Sequence, residues 1–259
     1  MKILKRFDKW MAMVAIVCVA MLTGCGKSAN EGENASGEPK ADKTEAASTE
    51  AQAESEADGE DAASPEGLSA IVSNWQSAPI TVSPKGAKAN IEDFALAFCS
   101  KYDSYEPNKK MLKYFANPKA YNEDAEIYRV ESDITNGYIR SFLLTEVVRA
   151  TEMCYWNRKN GHSLVGVFME NGSENSDSET AFMFYDYDPK TNVMTADKDV
   201  YKVVADVALD KDFPSYALEL PKKGKDIVVN LYSDNGEEGY DITEKLLKWN
   251  GDSFTQVAE

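Results

Sequence analysis

Residues 68–259 predict an α+β fold, with helices over 68–118 packed on a mostly antiparallel β-meander or sandwich over 126–259. Three observations carry this. Apolar residues between Ile91 and Tyr102 recur at helical spacing. From about Glu126 the chain breaks into short runs rich in β-branched and aromatic residues. Turn dipeptides separate those runs, which favours hairpins over alternating βαβ units.

The helical part comes first. Residues 68–82, with Ile71, Trp75 and Ile80, read as a short helix or a lead-in segment. Asn90 can cap the next element, in which Ile91, Phe94, Ala95, Phe98 and Tyr102 fall on one helix face. Glu92 and Asp93 in its first turn suit the helix dipole. Pro107 can open a further helix over NKKMLKYFA, with Met111, Leu112 and Phe115 on one side and Pro118 just beyond its end.

The strand part follows. EIYRV, GYIRSFLL, VVRATEMCYW, SLVGVFM, TAFMFYDY, VYKVV, YALEL, DIVVNLY, EKLLKW and SFTQV read as strands. Asn136-Gly137, Asn160-Gly161, Asp188-Pro189, Asn235-Gly236 and Asn250-Gly251 supply turns. Runs such as LVGVFM and IVVNLY are apolar throughout, so they need cover on both faces, from the helices or from a second sheet. The stretch 158–172 echoes 222–236 in pattern, with Gly161 aligned on Gly224 and no gap as far as Phe184-Tyr185 opposite Leu247-Lys248. This suggests two copies of a three-stranded unit; chance likeness between hairpins is the alternative.

Charge divides the chain. The net charge of −16 is distributed as +3 over 1–25, −9 over 26–67 and −10 over 68–259. An acidic chain without a basic stripe argues against nucleic-acid binding.

The opening MKILKRFDKW and the apolar run MAMVAIVCVAMLTG form a secretory signal over residues 1–24, too short to span a bilayer. The run ends in Leu22-Thr23-Gly24-Cys25. This motif resembles the lipobox of bacterial lipoproteins, and the resemblance covers the first 25 or so residues only. It implies cleavage before Cys25, a diacylglycerol on its sulfur, an acyl chain such as palmitate on its new amine, and the membrane as a partner through that anchor. Gly26, where an Asp often marks inner-membrane retention, points to the outer membrane. Residues 26–67 contain no aromatic, Val, Ile, Leu or Met, so they cannot bury enough apolar surface to offset the entropy of ordering. Residues 25–67 therefore read as a lipidated cysteine and a disordered acidic tether, ~35 Å long if it behaves as a flexible coil. A helix rich in Glu and Ala is the alternative.

Chemistry-bearing residues are few. Cys99 and Cys154 are candidates for a disulfide, and two buried thiols are equally ordinary. His162, the one histidine, follows an Asn-Gly turn and reads as a solvated surface residue, which argues against Ser-His-Asp, Cys-His and His-based metal sites. Asp186, Asp188 and Asn192 hint at a calcium loop, but the central Gly and terminal Glu are missing, so a plain turn is the better reading and no metal is expected. The charged loops 170–179 and 233–241 could share one edge as an acidic patch, or stand as solvated tips. Trp75, Trp156, Tyr185, Tyr187 and Trp249 could stack on sugars but lie in core-like patterns. No cofactor motif and no catalytic constellation is visible. The expectation is a lipid-anchored cell-envelope protein with a non-catalytic binding or assembly role. The alternatives are a carbohydrate-binding or glycan-processing accessory, and an enzyme working through carboxylates alone.

Overall fold

The computed structural model describes residues 68–119, 128–143, 148–172, 179–234 and 239–257. The signal segment, Cys25 and the acidic stretch lie outside the described residues, as do 173–178 and 235–238 of the two charged loops. The described elements are helices α1 (Leu68–Trp75), α2 (Ile91–Lys101), α3 (Glu106–Ala116) and α4 (Lys198–Ala208), with strands β1 (Ile80–Thr81), β2 (Tyr128–Asp133), β3 (Tyr138–Leu143), β4 (Arg149–Asn157), β5 (Ser163–Asn171), β6 (Glu179–Asp188), β7 (Val193–Ala196), β8 (Ser215–Glu219), β9 (Ile227–Asp234), β10 (Tyr240–Trp249) and β11 (Phe254–Gln256). The fold is mixed α+β and mostly β. Its strands form two antiparallel sheets, one ordered β1-β7-β6-β5-β4-β3-β2 and the other β11-β10-β9-β8.

Local chemistry sets the helix starts. Asn90 Oδ1 accepts the backbone N–H of Glu92 at 2.8 Å and of Asp93 at 3.3 Å, while the Asp93 carboxylate accepts the Asn90 N–H at 3.0 Å. This reciprocal box satisfies donors that a helix start leaves orphaned. Asp93 also accepts the N–H of Lys85 at 3.2 Å, which explains why a carboxylate can sit buried there.

The central strands β4, β5 and β6 of the seven-stranded sheet are buried on both faces, and side-chain alternation assigns each face. On β6, Met183, Tyr185 and Tyr187 join the cluster of α1, α2 and α3, where Phe94, Phe98 and Trp75 meet their rings edge-on. Phe182 and Phe184 point the other way, into a cluster with Leu164 and Trp156, Val200 and Val204 of α4, and Ile227, Val229 and Leu247 of the second sheet. The continuous apolar runs of β5 and β6 therefore have helices above and a second sheet with α4 below. Each fully buried side chain of this kind contributes ~1.5–3 kcal/mol.

Two sequence expectations require correction. VYKVV lies in helix α4, not in a strand. Asp197 caps it by accepting the Val200 N–H, and Val200, Val204, Val207 and Ala208 share its buried face. The β-branched composition signalled a strand, but the cap and the helical spacing of the valines prevail through tertiary burial. The ungapped alignment of the two meanders also fails. Seven residues separate β5 from β6, whereas five separate β9 from β10. A shift of two residues restores the match between the β6–β7 and β10–β11 hairpins and leaves every side chain on its own face. Gly161 and Gly224, which precede β5 and β9, both adopt left-handed φ values of 88° and 92°.

Candidate functional site

Arg158 is the centre of the most connected polar site. It lies in the turn between β4 and β5, and only 8% of its side chain is exposed. Its Nη1 bonds Asp186 on β6, and its Nη2 donates to Asp197 Oδ2 at 2.6 Å. Its Nε donates to the backbone carbonyl of Asp252, in the β10–β11 turn, at 3.0 Å. The Lys159 N–H adds a bond to the Gly251 carbonyl at 3.2 Å. One guanidinium thus ties the β4–β5 turn, β6, the start of α4 and the second sheet. Burial pushes the guanidinium pKa down, but hydrogen bonds and charge from Asp197 and Asp186 outweigh it and hold the group protonated.

His162 sits on the rim of this node. Its Nδ1 is 2.6 Å from Asp186 Oδ2, and its Nε2 is 3.8 Å from Asp188 Oδ1. This corrects the expectation of a solvated surface histidine: the ring is half-buried and paired, because the hairpin brings it opposite the acidic end of β6. The sequence signal lies in the Asp-x-Asp pattern of FYDYD, which places both carboxylates on one face of β6.

The calcium-loop candidates do not converge. Asp186 is taken by Arg158 and His162. Asp188 accepts the N–H of Lys190 at 2.8 Å and the hydroxyl of Thr191 at 3.2 Å, an Asx turn. Asn192 adopts the left-handed φ of 57° that the bend requires, and its Oδ1 accepts from Tyr187 at 2.7 Å. Among the described residues, no group of three or more His, Cys, Asp or Glu side chains could hold a metal ion.

A second polar site runs across β2, β3 and β4. Glu131, Arg140 and Glu152 lie opposite one another in register. Glu152 Oε2 is 3.7 Å from Arg140 Nε, and its Oε1 accepts the Leu220 N–H at 3.2 Å. Glu131 pairs with Lys222 at 2.7 Å. Desolvation raises the Glu152 pKa to about 7, against the opposing pull of Arg140, the Leu220 N–H, Lys222 and Tyr138. Arg140 stands between the two carboxylates, where a carboxylate-based hydrolase would need room for substrate. The one sequence signal for this site is a single acid, Glu152, beside Met153 and Cys154 in β4.

Cys99 and Cys154 are free, buried thiols. They belong to different clusters, Cys99 on the helix side of the large sheet and Cys154 on the second-sheet side, so the sheet separates them and no disulfide joins them. Burial pushes both thiol pKa values up, which keeps them protonated and inert. Trp75, Trp156, Tyr185 and Tyr187 are buried, and Trp249 stacks on Trp156 with ring centroids 5.8 Å apart. Trp75, Trp156, Tyr185 and Tyr187 are committed to the core, and Trp249 is half-buried against it. A shallow cavity of about 470 Å³ lies where α1 ends beside the end of α2, lined by Asn74, Ser77, Lys101, Tyr102 and Ser104 among others.

No protein-family model matches this chain, and no curated protein or solved structure shows significant similarity to it.

Proposed function

We propose that this protein is a lipid-anchored cell-envelope protein whose folded part serves a non-catalytic binding or assembly role. The observation that carries the reading is Leu22-Thr23-Gly24-Cys25 at the end of a short apolar run behind a basic head. Two further observations agree with it. The strongest polar site, at Arg158, joins structural elements, and its guanidinium is saturated by protein partners. The cavity beside α1 is lined by Ile71 and Ala78 as well as by polar side chains and Lys101, a mixed wall open to a small ligand. The commitment of the aromatics to the core weighs against the glycan-binding alternative, which needs an exposed stacking platform. We read the β5-β6-β7 and β9-β10-β11 meanders as two copies of one unit, with the second shortened in its first loop.

Protease shaving of intact cells, with Cys25→Ala as the anchoring control, tests the reading. Release of Cys25→Ala from the membrane fraction is expected. A variant that stays membrane-bound as firmly as the parent would sink the anchor. Loss of the folded part from intact cells would place it outside. Protection until the outer membrane is opened would place it in the periplasm.

A further inference from the structure

We propose that residues 44–67 dock on the lysine-bearing face of α3 in the same molecule, as an acidic cover held by charge. The net charge of the chain hides a strong polarity. Residues 68–119 hold seven lysines against four acids, whereas residues 120–259 hold 14 lysines and arginines against 27 acids. Three of the four acids are engaged: Asp93 accepts the Lys85 and Asn90 N–H groups, Glu92 accepts the Ser132 hydroxyl, and Glu106 pairs with Arg149 at 3.2 Å. Lys109 and Lys113 stand one turn apart on α3, are exposed, and make no ion pair among the described residues. Like charges four residues apart on a helix destabilise it unless a counter-charge is near. Lys110 lies over the Tyr128 ring at 4.7 Å on the flank of this face, and Lys85 Nζ, 6.0 Å from the Phe115 ring, adds charge at the far end of the helix.

The occupant follows from charge and position. Residues 44–67 hold eight acids and no lysine or arginine, and they run directly into Leu68 at the start of α1. The Leu68 N–H donates to Glu179 at 3.2 Å. Glu179 is paired with Asn171, and Asn171 with Arg149, whose guanidinium holds Glu106 at the start of α3. The starts of α1 and α3 are thus about two strand spacings apart, ~10 Å across the sheet. A coil of 24 residues spans ~25–30 Å and α3 is ~16 Å long, so the segment reaches the whole lysine face.

The composition of the segment rules out apolar docking and suits a contact made by charge. The acidic excess of the β-rich part repels it from the remaining surface. Each exposed pair is weak and screened by salt, but covalent attachment keeps the segment at an effective concentration on the order of millimolar. The contact needs no lipid at Cys25, so it stands or falls apart from the anchoring reading. The competing occupant of the lysine face is a layer of anionic lipid headgroups.

Amine footprinting of the full chain by acetylation, read by peptide mass spectrometry, tests this. The comparison is a variant in which the eight acids of 44–67 become Gln or Asn. Lys109 and Lys113 are expected to react several-fold faster in that variant, while Lys211 and Lys223, exposed elsewhere, keep their rates. The same release is expected in the parent at ~1 M salt, where the Debye length falls to ~3 Å. Zero-length carbodiimide cross-linking at low salt should join 44–67 to Lys109 or Lys113 within one molecule. Equal acetylation rates in parent and variant, or cross-links spread evenly over Lys109, Lys211 and Lys223, would overturn the proposal. Protection of Lys109 and Lys113 that appears only on adding phosphatidylcholine–phosphatidylglycerol vesicles would also overturn it and assign the face to lipid headgroups.

Discussion

Arg158 and Asp197 hold each other while Asp197 starts a helix. Asp197 Oδ2 accepts from Arg158 Nη2 at 2.6 Å, and its Oδ1 accepts the Val200 N–H at 2.9 Å. One carboxylate therefore both pairs a nearly buried guanidinium and caps α4. Asp197→Ala removes both, and the expected loss is about 3 kcal/mol, since breaking a buried ion pair and losing an N-cap are each costly. Asp197→Asn keeps the capping oxygen and is expected to lose less. Urea denaturation of both variants measures this, and a loss below ~1 kcal/mol for Asp197→Ala would show that the pair is not needed for stability.

Glu152 makes stability depend on pH. Its pKa in the folded protein is raised from 4.5 to about 7 by burial. The folded state then holds a proton that the unfolded state releases, so stability falls as pH rises from about 4.5 through about 7. The full loss is roughly 3 kcal/mol, before other groups are considered. Glu152→Gln keeps an acceptor for the Leu220 N–H and removes the buried charge. Denaturation midpoints across that pH range should therefore fall in the parent and stay nearly level in the variant.

Gly166 on β5 is required by close packing rather than by its backbone angles. A Cβ there would stand 2.9 Å from the Trp156 ring and 3.2 Å from Phe184. Trp156 cannot easily yield, because its Nε1 donates to the Lys225 carbonyl at 2.7 Å and Trp249 stacks on it. Gly166→Ala is expected to cost about 2 kcal/mol by overpacking, read as a drop in melting temperature.

Thr151 and Asn108 link α3 to the large sheet inside the core. The Thr151 hydroxyl donates to Asn108 Oδ1 at 2.8 Å, and Asn108 Nδ2 donates to the Tyr102 carbonyl at 2.8 Å. Thr151→Val leaves a buried amide oxygen without this donor and should cost about 1–3 kcal/mol. A double-mutant cycle with Asn108→Ala should return a coupling energy well above zero.

Much of the architecture was legible because its signals are local. The Asn90 cap, the left-handed Asn192 and the turns at Asn136-Gly137, Asn160-Gly161 and Asn250-Gly251 depend on a few neighbouring residues. The two-sided apolar run of β5 correctly demanded cover on both faces. Helix α4 misled because Val200, Val203 and Val204 favour a strand by composition, whereas Asp197 and the second sheet decide for a helix. The polar sites were largely hidden. Arg158 gathers partners as distant in sequence as Asp252, and Glu152 finds Arg140 on the neighbouring strand and Leu220 beyond β8. Nothing in the residues beside Arg158 or Glu152 announces those partners.

By itself, then, the sequence determined where many of the strands and turns could form and which positions must be buried. Periodicity, capping and motif spacing are short-range properties that one stretch of chain carries alone. Only the tertiary structure decided that Cys99 and Cys154 lie on opposite faces of a sheet, that His162 is held by Asp186, and that burial raises the Glu152 pKa to about 7. Those outcomes depend on which strands become neighbours and how much water remains around them, and both are settled only when the two sheets close on each other.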